Sequence, residues 1–287
     1  MAASSSLFRF VQVELPWQLG PSDGRYLLRS SHDPEAAAEH VIVFATLGAP
    51  ERRRLARRKQ HEALPEPEPT PVSTGRATVV DVGRPLVALE EASAWLEQAG
   101  DVELEQGIEV LNRALHAFRI VTADPYLHPV SRGQAIVARV GFGAGEQVAD
   151  GLWTDARELV QAEGRQRRTR VLTPQVRLAA VLGARERPLV CEELALRARV
   201  DLDHGRDREA ALQVFVALDA ALAELPSEPD AAALDDRLAE LRAQREPVAI
   251  AAQAALAGPL GAADLESVQF TLQRLEAALR ARAVQRA

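Results

Sequence analysis

In the first 50 residues, apolar positions either alternate with polar ones or form short continuous runs, as is typical of β-strands. Leu7–Leu15 is rich in Phe and Val, and the turn-forming residues 21–24 precede the apolar group at 26–28. His40–Leu47 is a continuous apolar run that ends at a glycine, which is typical of a strand covered on both faces. A further strand is expected at 76–82. The pattern therefore predicts a small β-rich N-terminal segment over 1–50, with a strand at 76–82.

Residues 51–75 have the composition of a linker. A basic run is followed by four prolines that alternate mainly with acidic residues. Such a segment has almost no apolar surface to bury, so nothing offsets the entropy lost on ordering it. We predict an Arg- and Pro-rich disordered linker with extended, polyproline-like stretches.

From residue 83 onward the hydrophobic period changes from about two residues to about 3.5. Apolar residues then recur in alternating steps of three and four along 104–118, 211–225 and 265–279. Stripes of this width need partner helices, so a helical bundle is expected over 83–287. The helical pattern lapses over 134–153, where a hairpin inserted into the helical domain is expected.

Small residues recur in one helical pair, between positions 194 and 225: Ala198, Ala210 and Ala217, with Gly205 in the turn. This pair resembles a single tetratricopeptide-type hairpin, and residues 89–125 resemble one more loosely. Asp201 stands where the repeat has an aromatic residue, and three contiguous repeats, as a solenoid needs, are not visible. The predicted fold class is α+β and mainly α, with tetratricopeptide-like hairpins in the C-terminal bundle.

Charge and rare residues narrow the classes of function. The net charge of −7 makes the chain as a whole a poor binder of polyanions. Lys59 is the only lysine and lies in an arginine run, which excludes a P-loop, a kinase phosphate site and a pyridoxal Schiff base. Cys191 is the only cysteine, so it forms no intramolecular disulfide and is expected to be an inert core thiol. A cytoplasmic protein with no membrane span is predicted, because the apolar run at 41–45 is too short to cross a bilayer.

Two motifs resemble ligand loops but depart from them in spacing. Residues 141–146 resemble a phosphate-binding glycine loop, but a dinucleotide fingerprint needs glycine where Glu146 stands, and a flexible turn is favoured. Residues 201–209 alternate oxygen-bearing side chains around Gly205, but this glycine is one place early for a calcium loop, and a helix–helix turn is favoured. No cofactor and no metal site is predicted.

Two groups of residues remain candidate sites. The first is the basic run, which could displace counterions from nucleic acid or dock on an acidic protein, and which comprises Arg52, Arg53, Arg54, Arg57, Arg58 and Lys59. It lacks the interleaved aromatic residues that stack on bases, so a solvated linker is favoured. The second is a polar group with the residue types of a general base or metal site: His116, Asp124, His128 and Arg132. Prolines at 125 and 129 disrupt a shared helical face, so a surface or loop-packing role is favoured there.

The function predicted from these patterns is a non-enzymatic cytoplasmic protein–protein interaction or adaptor module with a protein partner. Two alternatives stay open. One is a regulator that contacts nucleic acid through 52–59, a partner class that is not favoured, and the other is an enzyme with a dispersed site around 116–132. The helix stripes could also pack between two copies of the chain, which leaves a homo-oligomer open.

Overall fold

The computed structural model describes residues 6–29, 35–48, 73–159, 177–228 and 231–285. The chain divides into two compact units, Met1–Glu163 and Gly164–Ala287, which we call the sheet unit and the helical unit. The predicted α+β class is confirmed, because the structure contains a six-stranded antiparallel sheet together with long helices. Most of the predicted linker 51–75, including the whole basic run 52–59, lies outside the described residues.

The sheet has the strand order β2-β3-β4-β1-β5-β6, and every neighbouring pair is antiparallel. Its strands are β1 (Leu7–Leu15), β2 (Gly24–Leu28), β3 (His40–Leu47), β4 (Thr74–Leu86), β5 (Val137–Gly143) and β6 (Asp155–Glu158). Strands β1 and β3 have the bounds that the sequence predicts, and the expected strand at 76–82 lies within β4. Strand β1 is central, since it pairs with β4 on one side and with β5 on the other.

Among the described residues, two α-helices of ten or more residues belong to the sheet unit and four to the helical unit. They are α1 (Leu89–Gln98), α2 (Asp101–Thr122), α3 (Val190–Asp203), α4 (Asp207–Glu224), α5 (Asp235–Ala257) and α6 (Ala262–Gln285). Residues 177–182 are also helical. The expected turn at Gly205 joins α3 to α4, and this glycine has the left-handed φ of +65° that favours glycine there.

Helices α1 and α2 cover one face of the sheet. The apolar stripe of α2 buries Leu104, Ile108 and Leu111 against the sheet core around Val13 and Val79. Further along the same face, α1 contributes a smaller apolar cluster that includes Leu96, Val140 and Phe142. The stripe that predicted α2 therefore finds its partner in a sheet rather than in other helices.

The other face of the sheet carries an apolar cluster and, beside it, a polar ladder. Phe10 stacks on Trp153 with ring centroids 5.8 Å apart. In the ladder, Gln12 donates to the Thr78 hydroxyl at 2.9 Å and accepts from Arg139 at 3.0 Å, although Gln12 is fully buried. Because each member contacts its directly opposite neighbour on the adjacent strand, the ladder favours this register of β4, β1 and β5.

The division into units differs from the expected helical domain over 83–287. Helices α1 and α2, together with 134–153, belong to the sheet unit. Residues 134–153 are not an insertion between helices, because β5 adds to the sheet beside β1 and its partner β6 begins only at Asp155. Helical periodicity shows that a helix has a buried face, but it does not show what covers that face.

The glycines of 141–146 allow close packing in the sheet as well as a turn of the backbone. Gly141 and Gly143 lie within β5, and a Cβ at Gly141 would lie 2.7 Å from the Phe10 ring. Gly145, with a φ of +80°, begins the short 3-10 segment Gly145–Asp150 that carries buried Val148 onto the sheet. Gly141 and Gly143 are therefore required by close packing in the sheet, whereas Gly145 is favoured by its positive φ, as in the turn that was expected.

The helical unit is built around α4. Its residues Ala210, Val214 and Ala217 are completely buried in the core that α3, α5 and α6 complete. Among the described residues, the stretch Asp207–Ser227 is long and apolar enough to cross a membrane by length and composition. One helix of this kind is weak evidence for a membrane span, and its small residues lie in the core of the helical unit.

Candidate functional site

Three adjacent strands of the sheet place a row of ionisable side chains on the face that α1 and α2 cover. Arg9 of β1 lies directly opposite Asp81 of β4, and Asp81 lies directly opposite His40 of β3. Residues directly opposite one another in antiparallel strands project on the same side of a sheet. The strand register thus brings together three residues that are far apart in sequence.

This row forms one wall of a cleft with a volume of about 260 Å³. Trp95 of α1 and Glu103, Gln106 and Val110 of α2 supply the facing wall. Gly107, between these α2 residues, allows the close approach of helix to strand, because a Cβ there would lie only 2.5 Å from the Cβ of Val11. The cleft lies beside this contact.

Arg9 is held in the cleft without a hydrogen bond to any described residue. Its guanidinium lies 3.7 Å from Asp81 Oδ2, which is beyond hydrogen-bonding distance, and 5.6 Å from the centroid of the Trp95 ring. The buried Arg9 Nε and His40 Nδ1 both lack a partner among the described residues. Such atoms are costly when buried, so the polar groups of Arg9 and His40 are incompletely satisfied by the described residues.

The environment of His40 favours its neutral form. Burial lowers the pKa of His40 below its ordinary value of 6.5, although the negative charges of Asp81 and Glu39 oppose the shift. A neutral imidazole nitrogen either donates or accepts a hydrogen bond, depending on the tautomer. The cleft therefore offers a cationic group at Arg9 and a neutral polar group at His40.

The polar group predicted around 116–132 is not brought together by the structure. Asp124 accepts a hydrogen bond from the backbone N–H of Tyr126 at 2.9 Å, at the C-terminal end of α2. Arg132 pairs with Asp101 at 2.6 Å, at the start of the same helix. A helix of this length spans about 33 Å. Arg132 is therefore far from Asp124.

The physical reason is the path of the chain after α2. It runs back along the helix, where Asn112 donates to the Val130 carbonyl at 2.9 Å and accepts from the Val130 N–H at 2.8 Å. His128 is exposed on this returning segment, and His116 lies half-buried on α2 itself. The four residues are close together in sequence but are spread along the length of α2 in space.

The helical unit contains a second cluster of charges, around Arg282. This arginine is 2% exposed and lies 2.6 Å from Glu228, 3.1 Å from Glu192 and 3.6 Å from Glu186. Arg177 adds contacts to Glu186 at 2.9 Å and Glu192 at 2.7 Å. Of the Arg282 side-chain nitrogens, Nη2 is buried without a hydrogen bond to a described residue. The cluster ties the end of α6 to the start of α3 and to the helical segment 177–182.

The N-terminus of α3 is capped by a side chain that is distant in sequence. The carboxylate of Glu224, at the end of α4, accepts from the backbone N–H groups of Val190 and Cys191, each at 3.0 Å. Burial alone would raise the pKa of Glu224, but these hydrogen bonds outweigh it and the pKa lies below its usual value. Burial, together with the neighbouring Glu224, raises the pKa of the Cys191 thiol far above neutrality, which agrees with an inert core thiol.

The outer side of α3 and the helical segment before it expose apolar side chains. Leu196 and Val200 lie on the side of α3 that faces away from buried Cys191, Ala195 and Ala198. The exposed set, which we call the α3 apolar surface, comprises Leu178, Leu182, Val190, Leu196 and Val200. The contacts of Arg177 with Glu186 and Glu192 hold the helical segment close to the start of α3.

The cleft residues were not among the sites predicted from sequence. One signal was available, since Arg9 interrupts the alternating apolar set Val11, Val13 and Leu15 on one side of β1. A charge in such a row is unusual on a buried face. The pairing partners of Arg9 depend on strand register, which a single sequence does not reveal.

No protein-family model, no curated protein and no solved structure is significantly similar to this chain. Within the part of the chain that the structure describes, no group of three or more His, Cys, Asp and Glu side chains is placed to hold a metal ion. Function is therefore inferred from the side chains described above.

Proposed function

We propose that the protein is a non-enzymatic cytoplasmic interaction or adaptor module whose helical unit contacts a protein partner. The observation that carries this proposal is the α3 apolar surface. Nine large apolar side chains are exposed on the described residues of the helical unit, and five of them fall between positions 178 and 200. Contiguous patches of exposed apolar side chains mark protein-contact surfaces, and the concentration of these five residues along the chain supports such a patch.

The surface is supported by a rigid frame. Arg177 and Arg282 both bind Glu192 in the first turn of α3, and Glu224 caps the same helix end. A surface that is already ordered loses little conformational entropy when a partner binds. These contacts support a preformed binding surface.

The finer form of the proposal is that α3 and α4 act as a tetratricopeptide-like hairpin. Ala198, Ala210 and Ala217 are completely buried where the two helices meet, which allows the close helix approach that such hairpins need. A hairpin of this kind presents the outer side of one helix to a peptide or helix of the partner.

The experiment is affinity purification of the tagged full-length chain from its native cells, with and without nuclease, followed by mass spectrometry. We compare the unaltered protein with a variant that carries Leu196→Glu and Val200→Glu. The matched control carries Ile250→Glu and Leu256→Glu, which also places two charges at exposed apolar positions but on α5. A stoichiometric partner should survive nuclease, be retained by the control and be lost from the α3 variant.

Two other outcomes would redirect the proposal. A partner retained by both variants would show that the α3 apolar surface is not the contact. Partners that disappear with nuclease would favour the regulator that contacts nucleic acid through Arg52 to Lys59, and replacing those arginines with glutamine should then abolish binding.

A further inference from the structure

The cleft of the sheet unit has the size of a site for a small molecule. Its volume of about 260 Å³ corresponds to roughly nine water-sized groups. This space is too small for a folded peptide. It is bounded by the row of Arg9, Asp81 and His40 on the sheet and by α1 and α2 on the other side.

Arg9 is the group in this cleft that is best prepared to bind an anion. It makes no hydrogen bond to a described residue, and its ion pair with Asp81 is long at 3.7 Å. The ring of Trp95 supports the guanidinium at 5.6 Å, which fixes its position without using its N–H donors. A carboxylate is the partner that matches this planar fork of donors.

The remaining charges favour one negative charge on the ligand rather than two. Arg84 adds a second cation to the lining, and Asp81 and Glu103 balance the two arginines, while the environment of His40 favours its neutral form. Both carboxylates already have backbone partners, since Asp81 Oδ1 accepts from the Arg84 N–H at 3.2 Å and Glu103 from the Gly100 N–H at 2.6 Å. A lining without net charge gives a dianion such as phosphate no excess attraction.

The other part of the wall is apolar. Val11 and Val79 on the sheet and Val110 on α2 line the cleft, and Gly107 contributes no side chain to fill it. This wall provides a place for a short alkyl chain, whose transfer from water is favourable.

We propose that the cleft binds a small monocarboxylic acid with a short alkyl tail, its carboxylate on Arg9 and its tail against Val11, Val79 and Val110. The site lies in the sheet unit and is independent of the protein-contact surface proposed for the helical unit. A failure to bind at the cleft would therefore leave the proposed interaction function untouched, and the reverse also holds.

The test is titration of the full-length protein with hexanoate and with hexanamide, which have nearly the same shape and differ in charge, followed by calorimetry and amide NMR. Hexanoate should bind saturably, and hexanamide at least tenfold more weakly. Arg9→Gln should weaken hexanoate binding by about ten- to a hundredfold, the loss expected for a hydrogen-bonded charge, and leave hexanamide binding unchanged. Arg242→Gln, which removes the same charge from an exposed position in the helical unit, should have no effect.

A second variant keeps the proposal testable if Arg9→Gln does not fold. Val110→Phe fills the apolar part of the cleft and retains Arg9, so it should abolish the binding of both probes while circular dichroism shows an intact fold. The proposal is overturned if hexanoate does not bind at millimolar concentration, if both probes bind equally well, or if folded Arg9→Gln or Val110→Phe binds hexanoate as tightly as the unaltered protein.

Discussion

The two units treat an arginine that is wholly or partly buried in opposite ways. In the helical unit, Arg282 contacts three carboxylates, the nearest at 2.6 Å, so its charge is satisfied within the fold. In the sheet unit, Arg9 makes one long ion pair at 3.7 Å and rests on an aromatic ring beside an open cleft. Since an incompletely paired charge is costly in a protein interior, the contrast separates an arginine that stabilises its unit from one that is suited to binding.

The largest expected effect is on the satisfied arginine. Arg282→Leu would leave Glu186, Glu192 and Glu228 together without their shared cation, and we expect a loss of about 3 to 5 kcal/mol of unfolding free energy. Urea unfolding measures the loss, and hydrogen exchange should locate it in residues 177–285. The matched control is Arg245→Leu, whose pair with Asp219 is exposed, and it should change stability little. Equal stability of Arg282→Leu and the unaltered protein would contradict a stabilising role for the cluster.

A smaller effect is expected where the sheet unit depends on close packing. Gly107→Ala would place a Cβ 2.5 Å from that of Val11, and overpacking of this kind costs about 1 to 3 kcal/mol. This exceeds the gain of about 0.5 to 1 kcal/mol that alanine brings to a helix. Thermal unfolding should show the loss, whereas Gly133→Ala, whose added Cβ has its nearest neighbour at 4.0 Å, should leave the transition in place.

The smallest effect is expected at the cap of α3, and it depends on pH. Glu224→Gln weakens the cap, and we expect a loss of about 1 kcal/mol at pH 7 and low salt. The pKa of Glu224 is lowered in the folded state, so its contribution is complete above the unfolded pKa of about 4.3 and is lost as the pH falls through the folded pKa. The difference between the two proteins should therefore shrink when urea unfolding is repeated near pH 3. A difference that stays constant with pH would show that the carboxylate charge is not what caps the helix.

Local structure was largely predictable, because it follows from nearby residues. The β-branched and aromatic runs gave β1 and β3 their bounds, and the spacing of Leu104, Ile108 and Leu111 gave the buried side of α2. The grouping of helices into units was not predictable. A leucine stripe packs equally well on a sheet or on other helices, so α2 was expected in a bundle and is found on the sheet.

The cleft and the helix cap are formed by residues that lie far apart in sequence, so the sequence alone did not indicate them. Arg9 and Asp81 are neighbours only through the register of β1 and β4, and Glu224 caps a helix that begins 34 residues earlier. Asp124 and Arg132 show the opposite case. They are close in sequence and were expected to form one polar group, but they are separated by the length of α2. Nearness along the chain therefore indicated neither the cleft nor the cap.

The central position of β1 has a consequence for how the sheet unit is made. Gln12 bonds to Thr78 and to Arg139, partners that lie 66 and 127 residues further along the chain. At ribosomal rates of about 5 to 20 residues per second, β1 waits on the order of ten seconds before β5 exists to pair with it. During that time the β1 edge that pairs with β5 is open to other chains, and the edge that pairs with β4 is open until residue 86 has been made. Such non-local pairing also folds slowly. Newly made copies of this protein should therefore need chaperone protection at their N-terminal strand until residue 143 has emerged.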